Sequence, residues 1–325
     1  MTWDERLRAI CRLGFTERQA GFLVTVMLNA GVCLGRHYCT FARIAYGQKM
    51  HDFFQSLLAR GYATARACGH AKARLYHIHN KELYRAIGEP NNRYRRPTTL
   101  ARAIERLMML DAVLADRDRS WLATERDKVA HFTLRLGIRQ ADLPARRYEG
   151  EESETIRYFP DKLPIGVDAD SRTHVFLFLV TQQRPADFRA FLERHAELWR
   201  ALPAWTIRLL VPQKKTDDVP LYQEAFHQQL ASPLRPSVLE DLRWYFRARS
   251  SPPRGPDERF DEAAYAFGAP RFRALYQAFL ERGEPVLDAT LSPTLADAVA
   301  RKTGLLECHV LPHRYLHLSS LVGTA

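Results

Sequence analysis

A stretch near residue 50 concentrates side chains that can donate or accept hydrogen bonds. We predict that five of them read base edges: Gln48, Lys49, His51, Gln55 and Ser56. Their spacing would bring them together on the outer side of one helix. Amide, ammonium, imidazole and hydroxyl groups in such an array can bond base pairs in the DNA major groove.

The elements around these residues must present them to a partner. The helix predicted from Gln48 to Arg60 has an opposite, apolar stripe formed by Met50, Phe53, Phe54, Leu57 and Leu58. Tyr46-Gly47 predicts a tight turn before it, because Gly tolerates the positive φ that a sharp helix junction often needs. Gly61 predicts its end.

Neighbouring segments complete a recognisable order. Thr16 and Gln19 form a capping box for a helix to about Asn29, and Arg36 to Ile44 predicts the next helix. Residues 62–68 and 74–79 alternate as two strands around a turn at 69–72. Helices followed by a basic hairpin are typical of a winged helix-turn-helix, which we assign to residues 1–90.

Basic residues flank the same region. The predicted phosphate contacts are Arg36, Arg60, Arg66, Lys72, Arg74, Arg93, Arg95 and Arg96. The last three surround Tyr94 in a Pro-bounded connector, where they suit phosphate contact or minor-groove insertion. A solvated linker is the alternative interpretation of this connector.

Charge is unevenly distributed along the chain. Residues 1–150 hold 26 Lys and Arg against 14 Asp and Glu, a net charge of +12, whereas residues 151–325 hold 22 against 23, a net charge of −1. A basic segment beside a neutral one predicts a polyanionic partner for the first segment only. Since one reading helix covers few base pairs, we also expect a homodimer bound to double-stranded DNA.

Composition excludes several classes of protein. No apolar run approaches the length of a membrane span, and the N-terminus lacks the apolar core of a secretory signal. The five cysteines are odd in number and none has CxxC spacing, which favours reduced thiols in a cytoplasmic protein. No zinc spacing or Gly-rich phosphate loop is present, so we predict neither metal nor cofactor.

Residues 91–150 predict a basic connector and a second, partial winged-helix unit. Leu100 to Leu110 has helical periodicity, and Ala112 to Asp116 with Ser120 to Glu125 would form strands around Arg117 to Arg119. The alternative is a packing extension that completes the first unit.

Residues 151–325 change character. Short apolar strands are predicted over 155–159, 163–167, 175–180 and 206–211, a helix over 187–202, and a last strand over 305–311. Strand, helix, strand with short loops predicts a parallel βαβ pair. The overall class is therefore α+β, with an α/β domain that has a small central sheet and serves dimerisation or partner binding.

This domain has the outline of a degenerate restriction-nuclease fold. Asp161, Asp168 and Asp170 are the alternative catalytic candidates, because such enzymes hold Mg²⁺ between carboxylates on adjacent strands. The predicted central strand ends in Val-Thr-Gln-Gln, without a carboxylate or lysine, and Asp168 and Asp170 are more simply turn residues. His77 and His79 would face one side of a strand but lack a third metal ligand. We therefore predict no catalytic residues.

Three segments resemble a known family. Phe15 to Tyr84, Arg106 to Asp116 and Trp121 to Lys128 are similar to the winged-helix replication-relaxation proteins of plasmids and integrative elements. The resemblance implies a sequence-specific DNA-binding regulator of transcription or replication at a mobile element or defence locus. The open alternatives are a metal-dependent DNA nuclease and a protein-interaction module that does not bind DNA.

Overall fold

The computed structural model describes residues 1–68, 73–149, 154–231, 234, 236–251, 255–290 and 293–315. The chain has the expected mixed α+β composition and divides into two compact units. Unit 1 comprises Met1–Arg119 with Leu311–Ala325, and unit 2 comprises Ser120–Val310. The division after Arg119 comes earlier in the chain than the predicted boundary after residue 150, because the backbone just past Arg119 hydrogen-bonds into the sheet of unit 2.

Unit 1 begins with helices and closes with a hairpin and a long helix. Its elements are α1 Trp3–Cys11, α2 Glu17–Asn29, β1 Val32–Leu34, α3 Gly35–Ala42, α4 Gln48–Ala59, β2 Ala63–Ala67, β3 Arg74–Ile78, α5 Lys81–Ala86 and α6 Leu100–Ala115. The three strands form an antiparallel sheet in the order β1-β3-β2. The capping box at Thr16 is confirmed, since Gln19 N–H donates to its hydroxyl and the Gln19 side chain accepts from its N–H.

Aromatic stacking fixes α4 in unit 1. Phe53 stacks on Tyr38 with ring centroids 4.3 Å apart, and Phe54 stacks on Tyr76 at 3.9 Å. Phe22 of α2 contacts the rings of Tyr38, Phe53 and Phe54 edge-on and is fully buried. Burial of these five rings stabilises the packing by about 1.5–3 kcal/mol for each side chain removed from water.

Unit 2 contains the remaining elements. They are β4 Ser120–Leu122, α7 Glu125–Ala130, β5 Ala145–Glu149, β6 Glu154–Tyr158, β7 Ile165–Val167, β8 Thr173–Leu179, α8 Ala186–Ala201, β9 Ala204–Val211, α9 Val219–Phe226, α10 Pro236–Ser250, α11 Glu258–Ala266, α12 Pro270–Arg282, α13 Pro285–Thr290, α14 Pro293–Ala300 and β10 Gly304–Val310. Within the described ranges, no helix has the length and apolar character needed to cross a bilayer.

The main sheet of unit 2 has the order β10-β9-β8-β7-β4. Strands β8, β9 and β10 run parallel, which confirms the predicted βαβ pair, and β7 and β4 are antiparallel additions. The predicted strand near residue 155 forms β6, but it pairs with β5 as a separate two-stranded ribbon and not with the main sheet. Phe176, Trp199 and Trp205 fill the core between this sheet and α8.

The predicted second winged-helix hairpin does not form. Residues 112–115 continue α6, because Leu110, Val113 and Leu114 extend the buried stripe of Leu107 at helical spacing. The strand that follows, β4, pairs antiparallel with β7 of unit 2. The interpretation of residues 100–128 as a partial winged helix is therefore wrong, and α6 is a packing element of unit 1.

Candidate nucleic-acid interface

Helix α4 separates its side chains into two faces as its periodicity predicts. One face is buried: each of its residues is at most 4% exposed to solvent, namely Met50, Phe53, Phe54 and Leu57. The five predicted base-reading residues are all exposed on the opposite side: Gln48, Lys49, His51, Gln55 and Ser56. The helix therefore presents one continuous surface of hydrogen-bonding groups.

Between α3 and α4, the residue with a positive φ is not the predicted Gly47. The left-handed residue is Arg43, with φ of 53°, which ends α3 as its C-cap. Gly47 precedes α4 in an extended conformation with φ of 177°, and a Cβ there would meet nothing within 4 Å. The positive φ expected at Gly47 is thus wrong, whereas Gly61 ends the helix with φ of 64° as predicted.

One exposed residue of α4 was missed from the sequence. Asp52 lies among the base-reading candidates and accepts a hydrogen bond of 2.6 Å from the Gln48 amide. A carboxylate in this position can accept from the amino group of cytosine and repels phosphate. The i, i+4 spacing of Gln48 and Asp52 was the sequence signal that could have indicated this pair.

The hairpin after α4 carries part of the predicted phosphate contacts. Arg66 on β2 and Arg74 on β3 are exposed. Arg60, just past α4, stacks on the rings of Phe15 and Tyr62 and donates to the Leu13 carbonyl. Arg60 therefore anchors the end of α4 to the α1–α2 loop.

The fourth basic residue of this group, Lys72, lies outside the described residues, as does the turn at 69–72.

The connector residues around Tyr94 are folded onto unit 1. Tyr94 is buried, and its carbonyl oxygen lies 2.8 Å from a ring nitrogen of His77. The chain also passes close to Gly31, where an added Cβ would lie 2.6 Å from the Tyr94 carbonyl oxygen. Arg93 stacks on the Tyr94 ring, and Arg95 donates to the Pro90 carbonyl at 2.6 Å.

This placement decides between the two interpretations of the connector. Tyr94 is unavailable for insertion into a groove, and the connector is an ordered part of unit 1, not a solvated linker. Arg93 and Arg96 remain exposed at its surface, whereas Arg95 is half-buried.

Arg36 belongs to a closed polar network at the start of α3. Its guanidinium donates twice to the Asp111 carboxylate, at 2.6 and 2.9 Å, and once to the Tyr315 hydroxyl at 2.6 Å. Tyr315 in turn donates to Asp111. His37 completes the network: its Nδ1 accepts from Leu34 N–H, which leaves Nε2–H to donate to Asp111 at 3.0 Å.

The network explains the ionisation of its members. Burial raises the pKa of Asp111, but hydrogen bonds from His37 and Arg36 outweigh burial and hold that pKa well below its usual range. Burial lowers the pKa of His37 to about 4, so this imidazole is neutral near pH 7. Arg36 is thus engaged by Asp111 and Tyr315, and we do not retain it among the phosphate contacts.

The charge asymmetry coincides with the two units. Unit 1 holds 21 Lys and Arg against 10 Asp and Glu, a net charge of +11, and unit 2 holds 27 of each, a net charge of zero. The entire net charge of the chain therefore belongs to the unit that contains α4. A field of this sign raises the local concentration of a polyanion at unit 1.

The alternative nuclease residues do not converge in unit 2. Asp161 forms an ion pair with Arg194 beside a small cleft lined by Phe159, His195 and Phe176. Asp168 and Asp170 lie in the turn after β7, where Asp170 accepts from a backbone N–H and the backbone of Asp168 closes the loop.

The geometry separates these carboxylates. Asp161 precedes β7 and Asp168 follows it, so the length of the strand, roughly 10 Å, lies between them. Strand β8 contributes Phe176 and Leu177 to the cleft beside Asp161, and it contains no carboxylate. Among the described residues, no group of three or more His, Cys, Asp or Glu side chains could hold a metal ion.

Comparison of the chain with protein-family models, with curated proteins and with solved structures returns no match. The similarity of Phe15 to Tyr84 to replication-relaxation proteins stays a prediction. We therefore infer the function from the geometry and charge of the chain itself.

Proposed function

We propose that unit 1 is a winged helix-turn-helix domain that binds double-stranded DNA and that the protein is a sequence-specific regulator of transcription or replication. This proposal is supported by the helix, strand, helix, helix, strand, strand order of unit 1 and by its β1-β3-β2 sheet. The observation that carries the proposal is the exposed polar face of α4 in the unit that holds the whole net charge of +11.

In this proposal α4 lies in the major groove. Gln48, Gln55 and Ser56 read base edges, since amides bond adenine in a bidentate manner and hydroxyls bond most bases. Asp52 orients Gln48 through their hydrogen bond and disfavours guanine at the same step. The apolar face of α4 is fully used in packing, so its outer face is free to accept a partner without loss of core contacts.

The hairpin and adjacent arginines contact the backbone. Arg66 and Arg74 project from β2 and β3, and Arg93 and Arg96 from the ordered connector. Each phosphate neutralised releases counterions, so the affinity should fall steeply with salt, with a slope of roughly −0.9 for each contact.

The proposal is tested by equilibrium binding of the full chain to labelled duplex. A pool of random sequences first yields the preferred site, and anisotropy across a salt series then gives affinity and slope. Arg74→Ala should weaken binding to every sequence and reduce the slope by about 1. Gln55→Ala should cost about 1–3 kcal/mol on the preferred site and relax specificity at one position.

A matched control is Arg85→Ala. Arg85 is an exposed arginine of unit 1 on α5, which packs against α1, whereas α4 packs against α3 and β2. Its loss should leave specific binding unchanged. Absence of binding at low salt would favour an interaction module, and Mg²⁺-dependent cleavage of the duplex would favour the nuclease alternative; either result contradicts the proposal.

A further inference from the structure

Strand β10 is a long, open edge of the unit 2 sheet. Among the described residues it pairs only with β9, through the seven positions from Gly304 to Val310. The opposite edge, β4, has three residues. Leu305 is 37% exposed and Val310 48%, so solvent reaches both ends of the strand.

Soluble proteins usually protect such an edge. Lysine, proline, a bulge or a short strand prevents a second chain from adding to it. Residues 304–310 contain no proline or lysine, and their register with β9 has no bulge. The edge therefore has the properties of a surface that accepts another strand.

The hydrogen-bonding pattern shows which backbone groups are available. Trp205 N–H donates to the Thr303 carbonyl, and Trp205 is the partner of Gly304. In a parallel ladder, bonding alternates from residue to residue, so Leu305 and every second residue after it point their N–H and C=O groups to β9. Leu306, Cys308 and Val310 therefore point their backbone groups outward.

We propose that two copies of this chain associate through β10, which pairs antiparallel with β10 of a second copy about a two-fold axis at Cys308. In that register Cys308 faces Cys308 of the second copy and Leu306 faces Val310, and all of these positions have outward backbone groups. Glu307 then faces His309 across the interface in both symmetric positions.

Charge and shape favour this register over its neighbours. Glu307 opposite an imidazole is complementary, and such cross-strand pairs stabilise a sheet. An axis at Glu307 would place two carboxylates opposite each other. An axis two residues later, at Val310, would leave only Val310 opposite a residue of the second β10, whereas the axis at Cys308 pairs the five positions from Leu306 to Val310.

The neighbours of the interface are compatible with it. Arg208 on β9 donates to Glu307 at 3.0 Å from within the same chain, which holds the carboxylate on the face where the imidazole would meet it. Cys308 is exposed, and Cα atoms of a directly opposed hydrogen-bonded pair lie roughly 5.5 Å apart, within the range that a disulfide spans.

The first test is oxidative cross-linking of the full chain in the absence of DNA, so it is independent of the DNA-binding proposal. Mild oxidation should give a disulfide-linked dimer on a non-reducing gel. Cys308→Ser should abolish that dimer, and Cys11→Ser, which removes a partly exposed thiol of unit 1, should retain it. A cross-link that survives Cys308→Ser overturns the proposal.

The second test measures association without a disulfide. His309→Glu places carboxylates opposite each other twice and should raise the dimer dissociation constant about tenfold or more, measured by sedimentation equilibrium. His309→Lys places a cation opposite Glu307 and should preserve the dimer. A monomeric wild-type chain, or equal dissociation constants for the two variants, overturns the proposal. His309 is exposed, so neither substitution disturbs the fold.

Discussion

Removal of the Asp111 carboxylate should destabilise unit 1 selectively. Asp111→Ala leaves the Arg36 guanidinium, the Tyr315 hydroxyl and the His37 Nε2–H without their shared acceptor. Loss of one partner from a buried ion pair costs about 3–5 kcal/mol. The Arg36 side chain is 28% exposed and can recover some hydration, so we expect the low end, about 3 kcal/mol.

Hydrogen exchange monitored by mass spectrometry is the suitable assay, because it resolves the two units in the intact chain. Amides of α3 and α6 should lose about 3 kcal/mol of protection in the variant, while amides of β8 and β9 stay unchanged. Asp118→Ala removes an exposed carboxylate of unit 1 and serves as the control, with an expected change within about 0.5 kcal/mol.

A double-mutant cycle separates the network from a general effect of charge. Tyr315→Phe removes only the hydroxyl and should cost about 1–2 kcal/mol. Combined with Asp111→Ala, it should add little further, since the hydroxyl has already lost its acceptor. Additive losses, or an Asp111→Ala variant as protected as Asp118→Ala, would show that the network does not stabilise unit 1.

Further predictions concern two glycines and a buried histidine pair. Gly31→Ala should destabilise unit 1 by about 3 kcal/mol in urea unfolding, because φ is 71° and the new Cβ would lie 2.6 Å from Tyr94. Gly47→Ala should stay within about 0.5 kcal/mol of wild type, since lower unfolded-state entropy offsets a poorer N-cap; a large loss would contradict the extended geometry. His131 and His174 share a buried 2.9 Å contact, and burial lowers the pKa of each to about 4. Their neutral forms stabilise unit 2 fully above an unfolded pKa of about 6.5, and this stability declines as the pH falls towards 4, by about 2 kcal/mol for each imidazole at pH 5. Equal tryptophan-monitored urea midpoints at pH 7 and pH 5 would refute this reasoning.

Local periodicity predicted most of the elements that form the candidate interface. Neighbouring residues alone determine the two faces of α4 and its end at Gly61. The same holds for the capping box of α2 at Thr16. Strands β8 and β9 were equally predictable from the sequence, because they are continuous apolar runs separated by one amphipathic helix.

Contacts between residues distant in sequence account for the differences between the predicted and the observed structure. Arg36 looked like a phosphate contact because Asp111 and Tyr315, its partners, lie far away in the sequence. Ser120 to Leu122 looked like the second strand of a hairpin because its partner β7 begins at Ile165. In both cases the local pattern identified a basic residue or a strand correctly but carried no information about the distant residues that it contacts.

The same limit applies to the turn before α4. Glycine at position 47 suggested a left-handed residue, but Arg43 takes that conformation because the chain leaves α3 earlier than its apolar pattern indicates. Burial of Ala42 ends the packed part of α3, and residues 43–47 then bridge to α4. Turn chemistry alone did not distinguish these positions.

Tyr315 gives unit 1 a discontinuous sequence, with consequences for its biosynthesis. The ribosome completes Arg119 first and reaches Tyr315 only after all of unit 2, a further 196 residues. At about 5–20 residues per second, the interval is about 10–40 s. During that time Arg36 and Asp111 lack the Tyr315 hydroxyl, so unit 2 is synthesised before the polar network between α3 and α6 of unit 1 is complete. Maturation of the two units is therefore ordered in time. A nascent chain released early would carry a complete α4 in a unit 1 that lacks the contacts of Tyr315 with Arg36 and Asp111.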